Sequence, residues 1–388
     1  MRETAPHLEG IDNLRFVLVL LVVATQGALS YGVPGSAWWV VRDTSGSPWV
    51  GLLGVLLELP LLPILCFIAG YFAVFSVSRR GAGAFMVQKV RCLAPLWIAG
   101  VLVAAPLPVH LGLLARGERW EGLRSWWPRF FTSLYHQSVY GFLGLLLVFF
   151  LILAVASRIP AFARWLDQEP PENCERCRRE RWRGVLLLYC LTSLGVFLVH
   201  RRVPLDGWGH WNYLFMEQPL RIPLYGGYFL YGLVAGRGLF LHREWLRGEK
   251  AWPRLSLWLP LGLVFLVGYG ANRLGVLPEQ REDLVVQAAT ALLMAGMTLS
   301  WLMVALALAR CGLERRGRIW RRGARNALGI YCLHPLVLAP VVFLLRGVPR
   351  VPPEGKFLLA VTVTVMLSLA LSEGWLILIR GFRKRSPG

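Results

Sequence analysis

Charge is what this chain has least of. Only 16% of its 388 residues are Asp, Glu, Lys or Arg, against about 25% in an ordinary soluble domain. Lysine is nearly missing, at positions 89, 250, 356 and 384 alone. With 56% of the residues apolar, this composition excludes a soluble enzyme and a disordered chain. A disulfide framework is excluded too, because the seven cysteines are scattered. Cys66, Cys92, Cys190, Cys311 and Cys332 fall in or beside apolar runs, where a thiol behaves as a small hydrophobe. Cys174 and Cys177 alone form a pair, half of a zinc site without a second half nearby. No Walker loop, dinucleotide glycine fingerprint, HExxH or serine-nucleophile elbow occurs. The first apolar run ends in Gln26-Gly27-Ala28-Leu29 without a cleavage site, so a removable signal peptide is not expected.

Long apolar runs are what the chain does have. A helix needs roughly 20 apolar residues to cross a hydrocarbon core about 30 Å thick. Ten stretches qualify, at about 14–32, 50–76, 93–114, 139–157, 184–200, 222–240, 255–271, 284–309, 327–345 and 357–379. Two are short, which leaves nine as the fallback count. Pro60 and Pro63 inside the second stretch predict a kink. Nothing alternates as a barrel strand would, so the fold class expected is all-α: a polytopic integral membrane bundle of about ten helices, one domain over residues 1–388.

The formal net charge of +20 then reads as a topology signal rather than a nucleic-acid footprint. Loops on one side carry roughly twice as many Lys and Arg as those on the other, and the heavier side should face the cytoplasm. An even number of spans with both termini cytoplasmic satisfies that bias.

Polar side chains inside spans are costly and point to function by default. Arg15 and Gln26 are eleven residues apart in the first span, about 16 Å and three turns, hence on one face. Either they bind a substrate or they serve packing, with Arg15 reaching headgroups and Gln26 joining two helices. Glu58 and Glu373 interrupt other apolar runs, and His334 precedes Pro335 in a third. The outer loops gather His110, His136, His200 and His210, with Trp208, Trp211, Tyr213, Glu217 and Arg221 among them.

Several segments together resemble the acyltransferase-3 family, most closely its glucan-modifying branch, which adds succinyl groups to periplasmic glucans. They are Ile11-Asp12-Asn13-Leu14-Arg15 with Gly27-Ala28-Leu29-Ser30-Tyr31; Phe67-Ile68-Ala69-Gly70-Tyr71-Phe72; Phe85, Lys89, Arg91, Leu93 and Pro95; Pro219-Leu220-Arg221 to Tyr228-Phe229-Leu230-Tyr231-Gly232; and Ala327-Leu328-Gly329-Ile330-Tyr331-Cys332-Leu333-His334. The resemblance implies ten helices, no bound cofactor, and an acyl donor, often an acyl-CoA, used from the cytoplasmic side of a bacterial inner membrane. The acceptor it implies is a hydroxyl on an extracytoplasmic or lipid-linked carbohydrate.

The family's first span carries Arg, ten residues, then a catalytic His; here Arg15 is kept and the His position is Gln26. A second landmark before the fourth span, normally with His and Trp, reads Ser138-Val139-Tyr140-Gly141-Phe142-Leu143. A carboxamide cannot take a proton near neutrality, whereas an imidazole can. The reading that follows assigns Gln26 to orienting the thioester, with His334 first and His136 second as replacement base. Arg15, Arg79, Arg80, Lys89 and Arg91 are expected to hold the donor's phosphates. Trp208, Trp211, Glu217 and Arg221 are expected to line the acceptor site. The competing reading is a catalytically degenerate member that transports or scaffolds an acylated or lipid-linked intermediate.

Overall fold

The computed structural model describes residues 9–33, 41–119, 122–167, 174–205, 207–211, 215–237, 254–273, 283–313 and 317–385. Helices dominate: α1 (Glu9–Tyr31), α2 (Pro48–Glu58), α3 (Leu61–Arg80), α4 (Ala82–Ala99), α5 (Pro106–Ala115), α6 (Leu123–Ser133), α7 (Gly141–Ala156), α8 (Pro160–Asp167), α9 (Cys174–His200), α10 (Ile222–Gly236), α11 (Leu255–Arg273), α12 (Leu284–Cys311), α13 (Arg318–Leu345) and α14 (Pro353–Arg385). Among the described residues, nine helical stretches are long and apolar enough to cross a membrane. The protein is therefore an all-α polytopic membrane bundle.

Three details differ from the sequence reading. The stretch at 50–76 is two helices, α2 and α3, separated at Leu59 and Pro60; Pro60 and Pro63 lack the N–H groups that would continue the ladder through the break. Glu58 therefore ends a helix instead of interrupting one. The basic segment expected as a loop before residue 93 is the single residue Gly81, whose φ of 78° only glycine adopts without cost. Lys89 and Arg91 accordingly stand on α4. The stretch expected at 222–240 is the 15-residue α10, preceded by a 3-10 turn at Pro219–Arg221, and it is not among the nine. A two-stranded antiparallel hairpin, β1 (Gly209–Trp211) and β2 (Phe215–Glu217), precedes that turn.

The chain forms two compact, interleaved units. One comprises residues 59–95 and 142–314, with the first residues of α1. Its tightest contact is α3 against α10, where glycines let the backbones touch. A Cβ at Gly232 would lie 2.1 Å from the Phe67 carbonyl oxygen, and one at Gly70 2.2 Å from that of Phe229. Phe67 and Tyr231 pack at 5.6 Å between ring centroids, and Phe149 and Phe150 of α7 close on Phe229 at 5.4 and 5.7 Å. In the same unit α11 pairs with α12, where Asn272 donates to Thr290 Oγ1 at 2.7 Å.

The other unit comprises residues 12–58, 96–141 and 315–388. Its core gathers Ala28, Leu29 and Tyr31 of α1, Leu338, Ala339 and Val342 of α13, and Phe357 and Ala360 of α14. Between α4 and α5 the helix widens into a π-turn at Gly100–Ala104. Gly100 is required there because the Tyr140 ring occupies the space a Cβ would fill.

Candidate functional site

In the second unit α1 and α13 meet near their N-terminal ends. Arg15 Nη2 donates to the Ala324 carbonyl at 3.1 Å, and it also pairs with Asp12 at 3.5 Å. Phe16 meets Trp320 edge-on at 6.4 Å, and Gly323 leaves room for the Phe16 ring. Eleven residues along either helix is three turns, which brings the same two faces round again. Gln26 thus shares the face of Arg15 on α1, and His334 that of Gly323 on α13. The apolar cluster of Ala28, Leu29, Leu338 and Ala339 lies just beyond them and preserves the pairing. Gln26 and His334 thus both lie in the buried middle stretches of α1 and α13, next to that apolar cluster.

Both side chains are enclosed. Gln26 is 9% exposed and His334 0%. Gln26 Oε1 and His334 Nε2 have no hydrogen-bond partner among the described residues. An enclosed polar atom without a partner costs roughly 1–3 kcal/mol and asks for a functional explanation.

Pro335 explains the state of the imidazole. Proline has no N–H, so the carbonyl four residues earlier, that of Tyr331, loses its helical donor. His334 Nδ1 stands 2.7 Å from that oxygen. A carbonyl only accepts, so the proton sits on Nδ1 and the Nε2 lone pair is left free. Two tyrosines clamp this segment: Tyr331 OH donates to the Val139 carbonyl and Tyr140 OH to that of Cys332, each at 2.7 Å.

His136 is held the other way round. Its Nδ1 lies 2.8 Å from the Ser138 backbone nitrogen and accepts that N–H, so its lone pair is already engaged. The turn is tight, with Ser138 at a φ of 52°.

At the Arg15 end of α13 lies a charged cluster that the sequence reading had not assembled. Glu373 of α14 takes a bidentate pair of hydrogen bonds from Arg322, and Arg325 Nη2 is 3.7 Å away. Asn326 Nδ2 is 3.4 Å from Glu373 Oε1, and Asn326 Oδ1 accepts from Ser372 Oγ at 2.7 Å. The available signal was the intramembrane Glu373; its partners stand some fifty positions earlier in sequence.

The remaining candidates belong to the first unit. Arg79 and Arg80 end α3 in exposed positions, with Arg80 hydrogen-bonded to Gln88. Arg91 is exposed, while the Lys89 ammonium lies 4.6 Å over the Phe150 ring. Trp208 is half-buried ahead of the hairpin. Trp211 pairs with Phe215 through the backbone, and its side chain lies outside the described residues, as do those of His210, Tyr213, Cys174 and Cys177. Glu217 faces Gly209 across the hairpin. Burial pushes its carboxyl up to about 7, against the opposing pull of the Arg221 guanidinium and the Gln218 backbone. Arg221 also hydrogen-bonds Tyr225. No group of three or more metal-ligating side chains occurs among the described residues.

Searches of curated proteins and of solved structures returned no match. The family pattern described as an acyltransferase domain matches residues 8–373, a range that includes Arg15, Gln26, His334 and Glu373. The chain therefore belongs to the acyltransferase-3 family.

Proposed function

We propose that the protein is a membrane O-acyltransferase that moves a short acyl group from an acyl-CoA to a carbohydrate hydroxyl of the cell envelope. The observation that carries this reading is His334: its Nδ1 is held by the Tyr331 carbonyl, and its enclosed Nε2 has no partner among the described residues. In the proposed reaction Nε2 takes the proton of the acceptor hydroxyl as its oxygen attacks the thioester carbonyl carbon. The proton then passes to the departing thiolate, so acyl transfer proceeds without net proton uptake. Gln26 supplies a hydrogen bond that orients donor or acceptor. His136, whose lone pair already serves the backbone, is the weaker base.

Arg15, Arg79, Arg80, Lys89 and Arg91 are proposed to attract the donor's phosphates. Trp208, Trp211, Glu217 and Arg221 are proposed to recognise the sugar. Placement in a bacterial inner membrane with both termini cytoplasmic requires α10 to cross as a tenth helix. At 15 residues it is about 22 Å long, and the 3-10 turn before it extends that reach.

The test uses the full-length protein in membranes with radiolabelled acetyl- or succinyl-CoA and a glucan acceptor. Transfer by the wild type and its loss in His334→Ala support the reading. Gln26→His is expected to raise turnover by placing an imidazole at the family's usual position. A folded wild type that transfers no label supports the transport or scaffold alternative.

A further inference from the structure

Helix α14 brings a second set of polar groups to the height of His334. Thr364, Ser368 and Ser372 stand four residues apart and share a face. Two anchors set their level against the antiparallel α13. Ser372 meets Asn326 by hydrogen bond and Gly329 by close approach, while Phe357 and Ala360 share a cluster with Leu338, Ala339 and Val342. His334 falls between these anchors, level with residues 364 to 368. From the other side, a Cβ on Gly27 would sit 2.7 Å from Val361 Cγ2, so α1 meets α14 one turn away from Thr364. Gln26, His334, Thr364 and Ser368 thus lie near one level, a polar belt on three helices of the same unit.

Thr364 behaves unlike the other buried threonines. Of the five buried threonines among the described residues, Thr25, Thr192, Thr290 and Thr298 each turn the hydroxyl back to the carbonyl four residues earlier. Thr364 does not; its Oγ1 and the Oγ of Ser368 have no partner among the described residues, and both residues are 0% exposed. Self-satisfaction was open to Thr364 and was not taken. Two hydroxyls, one imidazole lone pair and one carboxamide oxygen therefore lie unspent near one level of the unit.

We propose that Thr364 and Ser368 are the oxyanion donors of the transfer reaction, hydrogen-bonding the carbonyl oxygen of the acyl thioester while His334 holds the acceptor's proton. This rests on the acyltransferase reading above. As the acceptor oxygen bonds to the carbonyl carbon, the C=O electron pair moves onto oxygen, where the two hydroxyls stabilise it. Collapse reforms C=O, breaks the C–S bond, and the thiolate leaves with the proton from Nε2. A proton wire to the Glu373 end is not needed, since the step is proton-neutral.

The test compares wild type, Thr364→Val, Thr364→Ser, Ser368→Ala and His334→Ala as full-length proteins, with label transfer from acetyl- or succinyl-CoA and the melting temperature as readouts. Removing one oxyanion donor costs about 10²–10³ in turnover in other acyl-transfer enzymes. Thr364→Val is expected to lower kcat by roughly 10- to 100-fold, at the lower end because the second hydroxyl remains, with the donor KM near wild type. Thr364→Ser keeps a hydroxyl and should recover most of the rate. The valine variant should melt at or above the wild-type temperature, because the hydroxyl it deletes has no partner in the resting protein. Activity of Thr364→Val and Ser368→Ala within twofold of wild type overturns the proposal, as does a serine variant no better than valine. If His334→Ala abolishes transfer while both hydroxyl variants are silent, this assignment alone fails. If the wild type transfers nothing, the acyltransferase reading fails with it.

Discussion

Lys356→Met is a near-isosteric change that should cost the protein far more than an ordinary surface substitution. Lys356 Nζ donates to both carboxylate oxygens of Asp43, at 3.1 and 2.9 Å, and the two side chains are only 2% and 0% exposed. Asp43 is also tied to the end of α1: its backbone nitrogen donates to the Ser30 carbonyl at 3.0 Å. Oδ1 accepts from both the nitrogen and the hydroxyl of Ser45. The pair therefore links the segment after α1 to the first turn of α14, and with them the helices that carry the polar belt. Removing the ammonium leaves an enclosed carboxylate with Ser45 alone, and breaking a buried pair in this way typically costs about 3–5 kcal/mol. The middle of that range is roughly a thousandfold in the folded-to-unfolded ratio, since about 1.4 kcal/mol is tenfold.

Unfolding of the purified protein in detergent, followed by tryptophan fluorescence, measures the loss. Combining Asp43→Asn with Lys356→Met should be less damaging than the sum of the two singles, by about 1.5 kcal/mol or more. Acid gives an independent check. Burial alone would raise the Asp43 carboxyl, but hydrogen bonds from Ser45 and the Lys356 charge outweigh it, and the net shift is downward. A depressed carboxyl contributes stability that is complete above its unfolded value, about 3.9, and is lost as pH falls through the lower folded value. The contribution should thus be flat from pH 8 to 5 and disappear only in stronger acid. A Lys356→Met protein within 1 kcal/mol of wild type would refute the argument.

Gly232→Ala should destabilise the first unit by roughly 1–3 kcal/mol or more, because its Cβ would strike the Phe67 carbonyl, a backbone atom that cannot rotate away; the same unfolding assay reads it. The Glu217 carboxyl, raised to about 7 by burial, predicts that activity changes with pH across neutrality if it contacts the sugar. Glu217→Gln should flatten that limb of the pH–rate profile, and an unchanged profile would remove Glu217 from the acceptor site. A raised carboxyl also favours the folded state most below its unfolded pKa and loses that advantage as pH climbs toward 7. Wild type should therefore lose stability relative to Glu217→Gln over that interval. Replacing both Cys174 and Cys177 by serine should leave the melting temperature and zinc content unchanged; loss of both would show a metal site.

Composition and run length were enough to establish the membrane class, because a helix in lipid must hide its backbone and fill about 20 positions with apolar side chains whatever its neighbours are. Pro60 and Pro63 announced the break between α2 and α3 for a similarly local reason: a missing N–H needs no partner to act. Periodicity alone placed Arg15 and Gln26 on one face. Even the tautomer of His334 was latent in the adjacent Pro335, although only coordinates connect it to the Tyr331 carbonyl.

What no local rule could supply was company. What encloses Gln26 depends on which helices lie beside α1, and the Gly323 that leaves room for Phe16 stands more than three hundred residues away. Arg322, Asn326 and Glu373 become one cluster, and Lys356 finds Asp43, through the same kind of contact. Thr364 and Ser368 drew no notice in the sequence, since a hydroxyl in a span ordinarily bonds its own helix. Only the tertiary structure shows that Thr364 does not, because a side chain's partners at such sites include neighbours distant along the chain.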